Sequence, residues 1–221
     1  MDTPLAPVVG PVRLWQVMPR LFSGLTLCGV GIAMMIRAEL GLGPWDVLHQ
    51  GISVAAGTTV GVASIVVGAA VLVLWIPLHQ RPGIGTLTNV VMIGLVLDAA
   101  LALSTTPGAM WARWLMIITG PLVFGIGVAT YIGAGVGTGP RDGVMTGLER
   151  LGLPIAVART AIELSALGLG WLLGGTVGFG TVYFAVIVGP VIHVAMPRLR
   201  APWFPPGAQP RVLGRTSAPP P

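Results

Sequence analysis

Residues 29–52 read GVGIAMMIRAELGLGPWDVLHQGI, and residues 125–148 read GIGVATYIGAGVGTGPRDGVMTGL. The two stretches align without gaps at an offset of 96, and ten of the 24 aligned positions are identical. A second pair of stretches, 83–94 and 178–189, aligns at an offset of 95 with five identities. The alternative is a shared enrichment of glycine in packed helices, but two nearly equal offsets are hard to obtain that way. The sequence therefore indicates an internal duplication.

The composition around the duplicated stretches is that of a membrane protein. Of the 221 residues 54% are hydrophobic and only 9% are charged, whereas a soluble domain carries about 25% charged residues. The formal net charge is +5 and every basic residue is an arginine. These arginines are dispersed between apolar runs, so we expect no nucleic-acid partner. The single cysteine, Cys28, excludes an intrachain disulfide and a cysteine-based metal site.

Six segments are apolar enough to cross a bilayer, which takes about 20 mostly apolar residues. The predicted spans are residues 21–38, 58–78, 86–103, 114–134, 156–173 and 181–196. They divide the chain into a first membrane repeat, 20–104, and a second, 112–197. Residues 1–19 contain four prolines and no apolar core, which predicts a cytoplasmic segment rather than a secretory signal. The proline-rich residues 198–221 predict a disordered cytoplasmic tail.

The distribution of arginine gives the orientation in the membrane. With a cytoplasmic N-terminus, ten of the twelve arginines lie on the cytoplasmic side, and Arg37 and Arg113 lie outside. Six spans then leave both termini in the cytoplasm of a bacterial plasma membrane. Three spans per repeat is an odd number, so the second repeat enters the membrane from the opposite side. The predicted fold is an all-α membrane protein of six transmembrane helices built as two inverted three-helix repeats, an arrangement typical of secondary transporters.

Each repeat carries the motif G-x-G-P-x-D directly after its first span. The motif residues are Gly41, Gly43, Pro44 and Asp46 in the first repeat, and Gly137, Gly139, Pro140 and Asp142 in the second. Proline suits the first turn of a helix, and the aspartate can face the positive helix end. Each motif therefore predicts a short helix, over residues 44–54 and 140–150. Paired short segments interrupted by glycine and proline point to a transporter site, although an interfacial linker helix with a capping aspartate is the alternative.

Charged side chains near the predicted spans are the candidates for binding or gating a substrate. They are Asp46, His49, Arg141, Asp142, Arg159 and Glu163. Asp46 and His49 share one face of the first short helix, so a proton-linked role is open beside a structural hydrogen bond. Arg159 and Glu163 lie one turn apart and form either part of the path or a structural ion pair.

Three polar residues within the predicted spans allow more than one interpretation. Asp98 in the third span aligns with His193 in the sixth. Either is a gate or a proton site, or a side chain that reaches the interface. Asn89 is interpreted as a helix–helix hydrogen-bonding residue.

Three stretches resemble a known group of bacterial proteins. LGLGPWDVLHQGIS (40–53), GTGPRDGVMTGLER (137–150) and VARTAIELSALGLGWLLGG (157–175) are similar to the YczE-like branch of the YitT/YczE integral membrane proteins. The resemblance extends over about residues 20–197. It implies a multi-pass plasma-membrane protein, and a link of related proteins to drug or metabolite export. It brings no catalytic residue to this chain.

Two functions remain open after these observations. The sequence contains no HExxH or GxSxG motif and no cluster of metal ligands, so we expect no enzyme activity, cofactor or metal. The first hypothesis is a small secondary transporter, an exporter of a small molecule. The alternative is a membrane scaffold or accessory protein that transports nothing. The expected partners are the lipid bilayer and an unknown small-molecule substrate. A homodimer is also open, because residues 20–197 are few to enclose a pathway.

Overall fold

A computed structural model describes residues 14–80 and 82–201, in which helices are joined by turns and short extended segments. The helices are α1 (Leu14–Ala38), α2 (Pro44–Ala56), α3 (Val60–Leu74), α4 (Ile84–Ala102), α5 (Met110–Gly133), α6 (Pro140–Arg150), α7 (Ile155–Leu172) and α8 (Phe179–Leu199). The all-α prediction is confirmed over these ranges.

The first and last helices extend beyond the predicted membrane repeats. Helix α1 begins at Leu14, within the predicted N-terminal segment 1–19. Helix α8 continues to Leu199, and Nη1 of Arg20 donates a hydrogen bond of 2.8 Å to its last carbonyl oxygen. The predictions for residues 1–13 and for the tail from residue 202 lie outside the described residues.

The apolar helices support a multi-pass membrane protein. By length and composition α1, α4, α5 and α8 can each cross a membrane. Helices α2 and α3 together make a fifth candidate, bent by 113° at the break between them. Helix α7, predicted as the fifth span, is not in this set. The described residues therefore hold four or five candidate spans, where the sequence predicts six.

The first helices of the two repeats cross in direct backbone contact. A Cβ atom on Gly31 would lie 2.7 Å from the carbonyl oxygen of Gly120, and one on Gly127 would lie 2.7 Å from that of Gly24. Along this contact the residue numbers increase in α1 and decrease in α5, so the two helices run antiparallel. Gly24 aligns with Gly120 and Gly31 with Gly127, which means that the same contact is made twice. Only glycine lets the helices approach so closely.

The segments that precede α2 and α6 are held by the other repeat. The Gly180 amide donates a hydrogen bond of 2.7 Å to the Leu40 carbonyl, and the Gly85 amide donates one of 3.0 Å to the Val136 carbonyl. Leu40 aligns with Val136, and Gly85 with Gly180, in the duplicated sequence. The two hydrogen bonds are therefore equivalent, and each fixes the start of a motif against the last helix of the opposite repeat.

The two short helices also pack on opposite repeats. Helix α2 lies against α7, where a Cβ on Gly170 would come within 2.5 Å of the Val47 carbonyl carbon. Helix α6 lies against α3, where a side chain on Gly143 would overlap the ring of Trp75. The two contacts are equivalent, because Val47 aligns with Gly143 and Trp75 aligns with Gly170 in the duplicated sequence. The larger side chain is on the short helix in the first contact and directly after α3 in the second. These contacts bring the first turns of α2 and α6 toward the middle of the molecule.

Candidate functional site

A cavity of about 100 Å³ lies between the two halves, bordered by the first turns of α2 and α6. Its walls come from six helices, α1 to α6, and combine apolar side chains with several polar ones. The polar and aromatic lining residues are Trp45, Asp46, His49, Ser64, Asn89, Phe124, Tyr131 and Arg141. Polar groups gathered inside an otherwise apolar membrane bundle are a functional-site candidate.

The G-x-G-P-x-D motifs explain why charged residues reach this cavity. Gly41 and Gly137 both have positive φ angles, 110° and 149°, which turn the chain after α1 and after α5. Gly43 and Gly139 are then extended N-cap residues, with a proline at the next position. The helices start at Pro44 and Pro140, as the sequence predicts. The residue after each proline, Trp45 or Arg141, lines the cavity.

The two equivalent aspartates have different surroundings. Oδ2 of Asp142 accepts a hydrogen bond of 3.1 Å from the Gly139 amide, which closes the start of α6. Asp46 makes no such capping bond at the start of α2. Its side chain is buried, and its Oδ1 lies 3.6 Å from Nδ1 of His49. Asp142 is therefore a capping residue, whereas Asp46 borders the cavity beside His49.

Arg141 is a cation without an ion-pair partner among the described residues. Its guanidinium lies 6.0 Å from the centre of the Phe124 ring, a cation–π arrangement. No carboxylate of residues 14–80 or 82–201 lies within 4.0 Å of it. A guanidinium stays protonated in proteins. Arg141 is thus a permanent positive charge that faces the cavity.

Three further polar groups border the cavity without a hydrogen bond in the described part of the chain. Nε1 of Trp45 and Nδ1 of His49 are buried atoms without a hydrogen-bond partner. The side chain of Asn89 is 7% exposed and makes no hydrogen bond there either, which corrects its interpretation as a helix–helix contact. Buried polar groups are nearly always satisfied, so three such groups around one space indicate room for a polar ligand.

The remaining sequence candidates lie elsewhere. Arg159 and Glu163 form an ion pair of 3.4 Å on α7 in which the arginine is 62% exposed, and neither residue lines the cavity. Asp98 accepts hydrogen bonds from Thr59 Oγ1 at 2.5 Å and from the Gly61 amide at 2.8 Å. It therefore holds the start of α3, a role that neither sequence alternative included. His193 is exposed on α8.

The structure brings three of the sequence candidates, Asp46, His49 and Arg141, to one cavity, together with Trp45 and Tyr131, which the sequence analysis did not select. Trp45 aligns with Arg141 in the duplication, and that equivalence was the available signal for it. Tyr131 carries no comparable signal, because an aromatic residue in an apolar span is usually part of the packing. Its hydroxyl lies beside Gly139, within 3.2 Å of the position that a Cβ there would take.

The comparisons with known proteins cover all of these helices. Residues 16–197 match a family of unknown function, DUF6198. An uncharacterized protein of Haemophilus influenzae is 39% identical over 174 residues, which is 78% of this chain and 80% of that protein. The uncharacterized membrane protein YczE of Bacillus subtilis is 35% identical over 184 residues, which is 80% of this chain and 84% of that protein. No solved structure matches.

Proposed function

We propose that this chain, which belongs to the family of unknown function DUF6198 and is 35% identical over 80% of its length to the membrane protein YczE, is a small secondary transporter of the bacterial plasma membrane. Its substrate site is the cavity between the two halves. The observation that carries the proposal is Arg141, a charged side chain that faces this cavity without an ion pair from the described residues. A charge inside a membrane protein is costly unless it is paired or has a function.

The proposed architecture is an inverted repeat. Antiparallel packing of the equivalent helices α1 and α5 supports a pseudo-two-fold axis perpendicular to both helices, and hence in the plane of the membrane. The equivalent hydrogen bonds of Gly85 and Gly180 support the same axis. In this arrangement α3 and α7 complete six spans, and both termini lie in the cytoplasm. The cavity borders both Cys28 and Phe124, two residues that align in the duplication and lie near the α1–α5 crossing. The cavity therefore lies close to the pseudo-two-fold axis.

The same geometry gives a route to alternating access. Each short helix begins at the cavity and rests on the opposite repeat, α2 on α7 and α6 on α3. If one repeat rocks against the other, one of these contacts opens while its equivalent stays closed. Asp46 and His49 are the groups that couple a proton to this motion, since both border the cavity and their side chains lie 3.6 Å apart.

The test is flux through proteoliposomes that contain the full chain, measured over a broad panel of small molecules with and without a pH gradient. We expect uptake or release of at least one compound, and loss of that flux in Arg141→Gln and Asp46→Asn. Arg113→Gln and Glu39→Gln are matched controls, because these two residues form a partly exposed ion pair and neither lines the cavity. Folded protein that moves no compound would contradict the proposal.

The scaffold alternative predicts different results from the same variants. A scaffold would copurify in fixed proportion with another membrane protein, and its cellular phenotype would survive both Asp46→Asn and Arg141→Gln. Loss of the phenotype in these two variants, with normal membrane insertion, favours transport.

A further inference from the structure

We propose that the cavity binds a small zwitterion, with the carboxylate of the ligand at Arg141 and its ammonium group at Asp46. The proposal names the substrate class of the transporter proposed above. Only the transport of this ligand rests on that proposed function. Binding itself is a separate property, and purified protein is sufficient to measure it.

The anionic end of the ligand is argued from three groups that lack partners in the described residues. The Arg141 guanidinium has no carboxylate within ion-pair distance, and a guanidinium matches the two oxygens of a carboxylate. Nε1 of Trp45 is a buried donor without an acceptor, and the Asn89 amide is also unused. All three residues line one cavity. A carboxylate there would supply the acceptors that these groups lack.

The cationic end of the ligand is argued from Asp46. This carboxylate is 5% exposed, borders the cavity and is not used to cap its own helix. A simple anion at Arg141 would be repelled by Asp46, and a simple cation at Asp46 would be repelled by Arg141. A molecule that carries both charges avoids both repulsions and brings no net charge into the apolar bundle. The positive charge of Arg141 and the negative charge of Asp46 thus select against singly charged compounds.

The size and walls of the cavity limit the body of the ligand. The volume of about 100 Å³ is below the roughly 150 Å³ of an engineered cavity that holds benzene. The walls between the polar groups are apolar and include Cys28, Ile32, Phe124 and Val128. The fitting ligand is therefore small, with a short apolar body between or beside its charges.

The experiment uses the full chain purified in detergent, with binding measured by calorimetry and by the shift in melting temperature. The matched probes are L-valine, isovalerate, which lacks its amino group, and isobutylamine, which lacks its carboxylate. Glycine, β-alanine and 4-aminobutanoate vary the distance between the two charges. We expect at least one of these zwitterions to bind. We also expect each singly charged analogue of valine to bind at least about tenfold more weakly than valine, since each analogue loses one charge-assisted hydrogen bond.

Variants assign each charge of the ligand to its residue. In Arg141→Gln the advantage of valine over isobutylamine is lost, and in Asp46→Asn its advantage over isovalerate is lost. The controls Arg113→Gln and Glu39→Gln keep both advantages. Each variant is checked by its melting curve, and the comparison of probes on the unaltered chain decides the question if a variant does not fold.

Two outcomes overturn the inference. The first is that isovalerate or isobutylamine binds as tightly as valine, and the second is that none of the four zwitterions binds. Zwitterion binding without flux in proteoliposomes contradicts the transport proposal alone. Flux of another class of compound, together with no zwitterion binding, contradicts the inference alone.

Discussion

At the scale of single residues, duplication has left two aspartates with different tasks. Asp142 accepts the Gly139 amide at 3.1 Å, whereas Asp46 has no capping bond and borders the cavity. We expect Asp142→Ala to lower the free energy of unfolding by about 1 kcal/mol, the usual effect of losing a helix cap. We expect Asp46→Asn to unfold like the unaltered chain and to lose flux. Thermal unfolding in detergent and flux in proteoliposomes separate the two effects, and the opposite pattern would remove Asp46 from the site.

The glycines of the α1–α5 crossing give a second prediction at this scale. A Cβ on Gly127 would lie 2.7 Å from the Gly24 carbonyl oxygen and 2.8 Å from the Cys28 amide nitrogen, both backbone atoms that cannot move alone. Gly127→Ala should therefore destabilise the protein by about 1–3 kcal/mol, the usual range for an overpacked contact. The control is Gly189→Ala, because nothing lies within 4 Å of a Cβ there and alanine favours a helix. Equal melting temperatures for the two variants would contradict the close crossing.

At the scale of helices, Asp98 links the end of α4 to the start of α3. It accepts the Thr59 hydroxyl at 2.5 Å and the Gly61 amide at 2.8 Å, so it satisfies polar groups that the first turn of α3 cannot satisfy itself. Asp98→Ala should speed amide hydrogen exchange across residues 60–63 and cost about 1–3 kcal/mol. Asp98→Asn keeps one of the two oxygen acceptors, so its effect should lie between those of the unaltered chain and Asp98→Ala. Unchanged exchange in Asp98→Ala would show that α3 does not depend on this link.

Helix positions were predictable from local signals, and the partners of polar side chains were not. The glycine–proline pairs of the two motifs placed the starts of α2 and α6 at Pro44 and Pro140. The Asp98 contact joins residues 37 to 39 positions apart, and no local pattern indicates such a partner. The same holds for the missing partner of Asn89. The different surroundings of Asp46 and Asp142 depend on what packs against each motif, while the motifs themselves are nearly identical.

At the scale of the whole molecule, the repeats exchange contacts rather than standing side by side. The segment before α2 is bonded to α8 and the segment before α6 to α4, through equivalent hydrogen bonds. Each half therefore completes the motif of the other, and neither half contains the cavity alone. The nearly equal offsets in the sequence predict the duplication. They do not predict that both motifs meet at one cavity, because that depends on the antiparallel crossing of α1 and α5.

The orientation of the repeats leads to a prediction that concerns the whole chain. Thr105 lies between α4 and α5, Leu151 lies between α6 and α7, and both are exposed. If the repeats are inverted, these loops face opposite sides of the membrane, with Thr105 outside and Leu151 in the cytoplasm. In a Cys28→Ala background, Thr105→Cys should react with an impermeant maleimide in intact cells, and Leu151→Cys should react only after the membrane is opened. Because the native thiol is buried, Cys28→Ala alone is the control for background labelling. Labelling of both cysteines from the same side would exclude the inverted repeat, and alternating access through the cavity would lose its structural basis.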